Sequence, residues 1–353
     1  MTESELLSRS SNNFDFIRIS ASVFVLIGHS SDVLYNKHLS FDPAKWLFGF
    51  SLQSLGVLIF FIISGFLVTK SFENKTSWIR FLAGRVLRIF PALIVVILIS
   101  VFMLGSLVTT LHWNDYFSNH LTWQYLQNIT LFRMYYYLPG VFDTNPIAGS
   151  VNASLWTLPY EFTCYLYIAL IGIYSLMSNK WISLVLFLVY FTAYLFWQVE
   201  IDKVVIPIIG IDFRTFFLPF LFFLSGSVFY KFRHYIQFHI YGLLVCVAIF
   251  ILTKINFLHH QFLIPAITYI VLAFALSKNI RMYAVGKYGD FSYGLYLYAF
   301  PVQQLLVFLL PFKPSLIGMI LLSFLCTFPF AWLSWYFVEK PALQLKRYGL
   351  QIR

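Results

Sequence analysis

Charge is scarce in this chain of 353 residues: Asp, Glu, Lys and Arg together make 11% of it, against 60% hydrophobic and 21% aromatic residues. A soluble core of this size needs nothing so apolar, since globular domains average about 45–50% apolar and about 25% charged residues. The shortage excludes an ordinary water-soluble domain and points to a chain built for lipid. Cysteine is sparse too. Cys164, Cys246 and Cys326 fall inside apolar runs in no paired or metal-like spacing, which argues against a disulfide framework and a zinc site. His112, His120, His259 and His260 give no metal-ligand spacing either, so no metal is expected. There is no internal repeat of convincing length and no low-complexity stretch, which disfavours transporter folds built from inverted halves. No small-x-small cleavage signature follows the first apolar run, Ile19 to Ile27, so that run reads as a retained helix and not a removed signal peptide. The net charge of +10 is not gathered into a stripe. Its basic residues lie between hydrophobic spans, as in membrane proteins, so membrane lipid is an expected partner and nucleic acid is not.

What is present is a series of apolar segments. A helix needs about 20 apolar residues to span the hydrocarbon. Ten segments meet or approach that, at roughly 14 to 34, 51 to 69, 87 to 110, 156 to 177, 182 to 199, 213 to 230, 237 to 254, 261 to 277, 289 to 310 and 315 to 337. The expected fold is therefore an all-α polytopic bundle of about ten transmembrane helices, a single membrane domain over 1–353 with no fused soluble domain. Of the 24 Lys and Arg residues, 17 fall on the side of the termini, which puts both termini in the cytoplasm. The one long connection, 111 to 155, lies on the outer side. It carries Trp113, Tyr116, Trp123, Tyr125 and Tyr135 to Tyr137, rings that can stack on sugars or form an interfacial aromatic belt.

Ionisable groups inside spans are costly and functional by default. In helix 1, Arg18 and His29 are eleven residues apart, a turn about 20° off three full revolutions and a rise of about 16.5 Å, so they share one face at different depths. Arg18 is an anion-binding group near the cytoplasmic end, or a snorkelling anchor paired with Asp15 at i, i+3. His29, near the outer end, is a proton-transfer group or a helix–helix hydrogen-bond partner. Arg85 and Arg88 share a helix face at the cytoplasmic boundary, where guanidinium forks suit phosphates and where positive-inside anchoring also places arginine. Glu161 lies about 8 Å below the expected outer end of helix 4, the depth of His29, and the pair is expected to hydrogen-bond, the carboxylate orienting the imidazole. Gly65 in helix 2 allows close backbone approach, usually a packing feature.

The chain resembles the acyltransferase 3 family of bacterial membrane proteins from about Phe14 to Pro341. The matching pieces are Arg18 and His29 of helix 1, Phe61-Ile-Ile-Ser-Gly-Phe-Leu, Arg85-x-x-Arg88 before Pro91, Ser154-Leu-Trp-Thr with Glu161, Phe291-Ser-Tyr-Gly-Leu-Tyr-Leu, and Glu339-Lys-Pro341. The resemblance implies acetyl-CoA as donor, a helix 1 His as catalytic residue, arginines near the cytoplasmic face serving the donor, and a glycan hydroxyl as acceptor. Where many relatives have a His before the Pro of the late Tyr-rich helix, this chain has Tyr298-Ala299-Phe300-Pro301, so no role is carried over there. Relatives fused to a soluble hydrolase-like domain finish transfer outside the membrane, whereas this chain is expected to work alone.

The resulting expectation is an inner-membrane O-acyltransferase moving an acyl group, most simply acetyl, from cytoplasmic acetyl-CoA to a hydroxyl of an O-antigen, exopolysaccharide or lipid-linked glycan. His29 with Glu161 would be catalytic, Arg18, Arg85 and Arg88 would bind the CoA phosphates, and Trp156 and Tyr160 would bind the acceptor. The rival is a transporter of a lipid-linked sugar or small solute with His29 and Glu161 as a proton relay. A membrane subunit without chemistry leaves both buried groups unexplained.

Overall fold

The computed structural model describes residues 12–74, 77–174, 179–196, 205–206, 211–236, 238–277 and 279–348. It is helical throughout, apart from a two-residue antiparallel pairing of Val205–Ile206 with Ile211–Asp212. Each of the ten apolar segments contains one helix: α1 Phe14–Tyr35, α2 Leu52–Glu73, α3 Trp78–Leu98, α4 Leu158–Ile173, α5 Lys180–Phe196, α6 Phe213–Lys231, α7 Ile240–Lys254, α8 Leu263–Ala275, α9 Ser292–Leu309 and α10 Leu316–Ser334. Residues 197–199 of the fifth expected span lie outside the described residues. Among the described residues, four continuous helices are long and apolar enough to cross a membrane: α1, α2, α3 with its extension to Val108, and α10 with its extension to Leu345. Helices of 13 to 17 residues, such as α5, α7 and α8, rise only about 20–26 Å against a hydrocarbon core of about 30 Å.

Close packing is set by small residues. A Cβ on Gly65 of α2 would collide with the Phe223 carbonyl oxygen of α6, and one on Gly226 of α6 with that of Ile62 on α2, so the two backbones touch reciprocally. Pro301 interrupts α9, removing the amide that would bond the carbonyl of Leu297 four residues earlier. Asn152 fills that gap: its Nδ2 donates to Leu297 O at 2.9 Å. Two π-helical stretches extend spanning helices, Ile99–Gly105 after α3 and Trp335–Glu339 after α10. In the first, the buried Tyr116 phenol donates to Val101 O at 2.9 Å, anchoring the long connection to the bundle. Burial pushes the Tyr116 phenol up from its ordinary value, keeping it a donor.

Within that connection the aromatics divide. Tyr116 and Tyr125 are core residues, whereas Trp113, Trp123 and Tyr137 stand exposed. The stretch before α4 does not run along the surface. It descends beside α9, with Asn145 Nδ2 on Gln304 O at 2.9 Å, Asn152 on Leu297 O, and Thr157 Oγ1 on the Tyr296 hydroxyl at 2.6 Å.

Candidate functional site

Three arginines and a carboxylate meet in one cavity. Arg18 comes from the first turns of α1, Arg85 and Arg88 from adjacent turns of α3, and Glu161 from the start of α4. The cavity holds about 150 Å³, closed by Ser64 and apolar residues of α2 and by Ser292, Tyr293 and Tyr296 of α9. That is the volume of roughly five water molecules at about 30 Å³ each.

The arginines are not equivalent. Arg18 Nη1 donates to Asp290 Oδ2 at 2.5 Å, and its Nη2 lies 3.2 Å from Asp15 Oδ1. Arg88 Nη2 donates to the same Asp290 oxygen at 2.7 Å, and its Nη1 reaches Glu339 Oε2 at 3.3 Å. Those carboxylates are themselves held, Asp290 Oδ1 by the Ser292 hydroxyl at 2.5 Å and Glu339 Oε1 by that of Ser334 at 3.0 Å. Asp290 thus clamps α1 to α3, and Glu339 adds the end of α10. Arg85 forms no salt bridge among the described residues. Its guanidinium sits over the rings of Phe81 at 5.8 Å and Tyr165 at 5.6 Å. Glu161 accepts a hydrogen bond from the Tyr165 hydroxyl one turn along α4.

His29 is elsewhere. Its Nδ1 is 3.3 Å from Asp32 Oδ2, one turn along α1, and its ring meets Phe300 edge-on at 5.2 Å. Asp32 is shared: Gln53 Nε2 donates to the same oxygen at 3.2 Å, and His38 Nδ1 lies 2.9 Å from the other. Gln303 of α9 donates to Leu26 O at 2.8 Å and to Ser30 Oγ at 2.9 Å, which fixes α1 at the level of His29. Along α9, that level is about seven residues from Tyr293 and Tyr296 at the cavity, a rise of about 10 Å.

The expected pairing of His29 with Glu161 is therefore corrected: no hydrogen bond joins them, and Asp32 is the carboxylate beside the imidazole. Depth counted from the start of the apolar segment puts Glu161 near a surface. The segment from Asn145 to Thr157 is already buried against α9, so α4 begins deep in the bundle. The structure does bring Arg18, Arg85, Arg88 and Glu161 together. Trp156 and Tyr160 stack on each other at 5.7 Å and Tyr160 on Phe216 at 5.4 Å, and neither lines the cavity. Asp290, Glu339, Asp32 and Tyr165 escaped sequence reasoning. Only Glu339 had a signal, in the Glu-Lys-Pro piece, and Asp32 a faint one in its i, i+3 spacing from His29.

The family model described as "Acyltransferase domain" matches residues 11–337. The chain belongs to the acyltransferase 3 family. Within that family it is similar to an O-acetyl transferase of Shigella phage Sf6, 31% identical over 343 residues that cover 94% of this chain and 96% of the relative. It is also similar to Nodulation protein 10 of Rhizobium leguminosarum bv. viciae, 36% identical over 163 residues, 44% of this chain and 42% of that one. No solved structure matches. The chain is an acyltransferase whose apolar helices fit a membrane protein, and both arginine positions of α3, Arg18, His29, Glu161 and Asp290 lie within the matched span.

Proposed function

We propose that this acyltransferase moves an acetyl group from cytoplasmic acetyl-CoA to a hydroxyl of a cell-surface or lipid-linked glycan. The glycan acceptor is favoured by the similarity to a phage O-acetyl transferase along almost the whole chain. In this reading the chain is one inner-membrane domain over 1–353 that crosses the bilayer about ten times with both termini cytoplasmic, as the distribution of Lys and Arg suggests. The observation that carries the mechanism is the shared face of α1. Arg18 opens onto a polar cavity near one end, and His29, about 16.5 Å further along, holds its Nδ1 toward Asp32.

His29 then acts as general base through Nε2, with Asp32 fixing the tautomer and stabilising the imidazolium, a role worth about 10²- to 10⁴-fold in rate. The sugar oxygen attacks the thioester carbonyl as its proton passes to His29. The carbon–sulfur bond breaks, the ester forms, and the proton leaves with the CoA thiolate. Trp156, half-buried, is the side chain we assign to stacking on the acceptor, with Tyr160 holding its ring in place.

The test is purified protein in nanodiscs with acetyl-CoA and a lipid-linked oligosaccharide, read by CoA thiol release and by the mass of the glycan. Release coupled to a 42-dalton gain supports the reading. Oligosaccharide flux without CoA release would replace it with transport.

A further inference from the structure

We infer that the arginine cavity receives the uncharged pantetheine arm of the donor, through its amide carbonyls, and not the CoA phosphates; Arg85 and Ser64 are the residues that bind it. This rests on the acetyl-CoA reading above. Three buried donors on cavity-lining residues lack a hydrogen-bond partner: Arg85 Nε, Ser64 Oγ and Arg18 Nε. Buried polar groups are rarely left so, and three donors together call for a ligand rich in acceptors.

The acceptors are not phosphate oxygens. Both terminal nitrogens of Arg18 and both of Arg88 already face carboxylates of Asp15, Asp290 and Glu339, so these guanidiniums are neutralised. A phosphate entering here would bring its charges against three carboxylates and Glu161 in a site walled by Val57, Phe60 and Phe61. A chain of neutral amides brings carbonyl oxygens and methylenes, which match orphaned N–H and O–H donors on an apolar wall. Arg85 is free of carboxylates and stands across from Ser64 of α2, so the two flank the arm. The arm is also the part of the donor that must bridge the rise of about 10 Å from the cavity to His29.

Binding of acetyl-CoA and of S-acetyl-pantetheine, which has no phosphate, to the full-length protein in nanodiscs decides this, read by calorimetry. Arg85→Met and Ser64→Ala are each expected to weaken both ligands by the same factor, about tenfold, leaving the ratio of the two affinities and the salt dependence of acetyl-CoA binding as in wild type. Ser64→Ala removes a hydroxyl with no partner, so its melting temperature should not fall, and a purely structural role would not combine unchanged stability with weakened binding. Two results overturn the inference: an affinity ratio that collapses toward one in Arg85→Met, which places a phosphate on Arg85, or unchanged affinity for both ligands in both variants. If wild type binds neither ligand, the donor reading itself fails and takes the inference with it.

Discussion

Replacing Asp290 by Asn keeps its size and hydrogen-bonding atoms but removes the charge that holds two guanidiniums. Its carboxylate oxygen accepts from Arg18 at 2.5 Å and from Arg88 at 2.7 Å, and its side chain is 5% exposed. Removing one partner of a buried ion pair costs about 3–5 kcal/mol, because the opposite charge stays buried. Arg18 keeps Asp15 and Arg88 keeps Glu339, so the lower half of that range applies. With an unfolding entropy of about 2.1 cal/mol/K per residue, 353 residues give about 0.74 kcal/mol/K, and the loss lowers the melting temperature by roughly 4–7 °C. The assay is intrinsic fluorescence of purified protein melted in one detergent, on wild type, Asp290→Asn, Arg18→Gln and the double variant. Since the two residues share one bond, the double variant should be less destabilised than the sum of the singles. An Asp290→Asn protein melting within a degree of wild type would refute the idea that this carboxylate clamps α1 to α3.

His29→Ala should leave the protein folded and reduce glycan acetylation to background, and wild-type acetylation in that variant would remove His29 from the chemistry. Asp32→Asn, which leaves the ring in place without its charged partner, should lower kcat by at least tenfold with donor affinity unchanged; His38→Ala, at an exposed ring, should leave kcat near wild type. Glu161→Gln should change donor affinity, because Glu161 lines the cavity and does not touch His29; an effect on kcat alone would argue for a contact the structure lacks. Gly65→Ala forces α2 off the Phe223 carbonyl and should cost about 1–3 kcal/mol, seen as a lower melting temperature. Tyr116→Phe orphans the Val101 carbonyl at a cost of about 1–3 kcal/mol. Because burial raises the Tyr116 pKa, its contribution should be complete below about pH 10, where unfolded tyrosine is neutral, and fade above it, so the gap between wild type and Tyr116→Phe should narrow only under alkali.

Helix positions were legible because a span writes itself as an apolar run, and every run holds a helix. Arg18, Arg85 and Arg88 were legible for the same reason, as costly charges where none is needed. Depth relative to a neighbour was not. The descent of Asn145 to Thr157 rests on amide bonds to carbonyls of α9, one of them freed by Pro301, and no periodicity in the sequence reports a pairing over 145 residues. Asp290 was missed for a similar reason: it precedes α9 in a connection, where an acidic residue is unremarkable until the fold sets two arginines against it.

The π-helical stretch Trp335–Glu339 makes the end of α10 sensitive to phase. A π turn holds one residue more than an α turn, so it acts as a single-residue insertion that resets the angular position of everything after it. Glu339 is the last residue of that stretch and reaches Arg88 only at that angle. Deleting one residue between Ser334 and Glu339 would let the helix relax to regular α geometry and shift Glu339 by about 100° relative to the residues before it. The same deletion earlier in α10, at the lipid-facing Leu321 or Leu325, would change the register of the whole remainder. Length variation among homologues should accordingly be excluded from this short window and tolerated in the connections on either side of the helix.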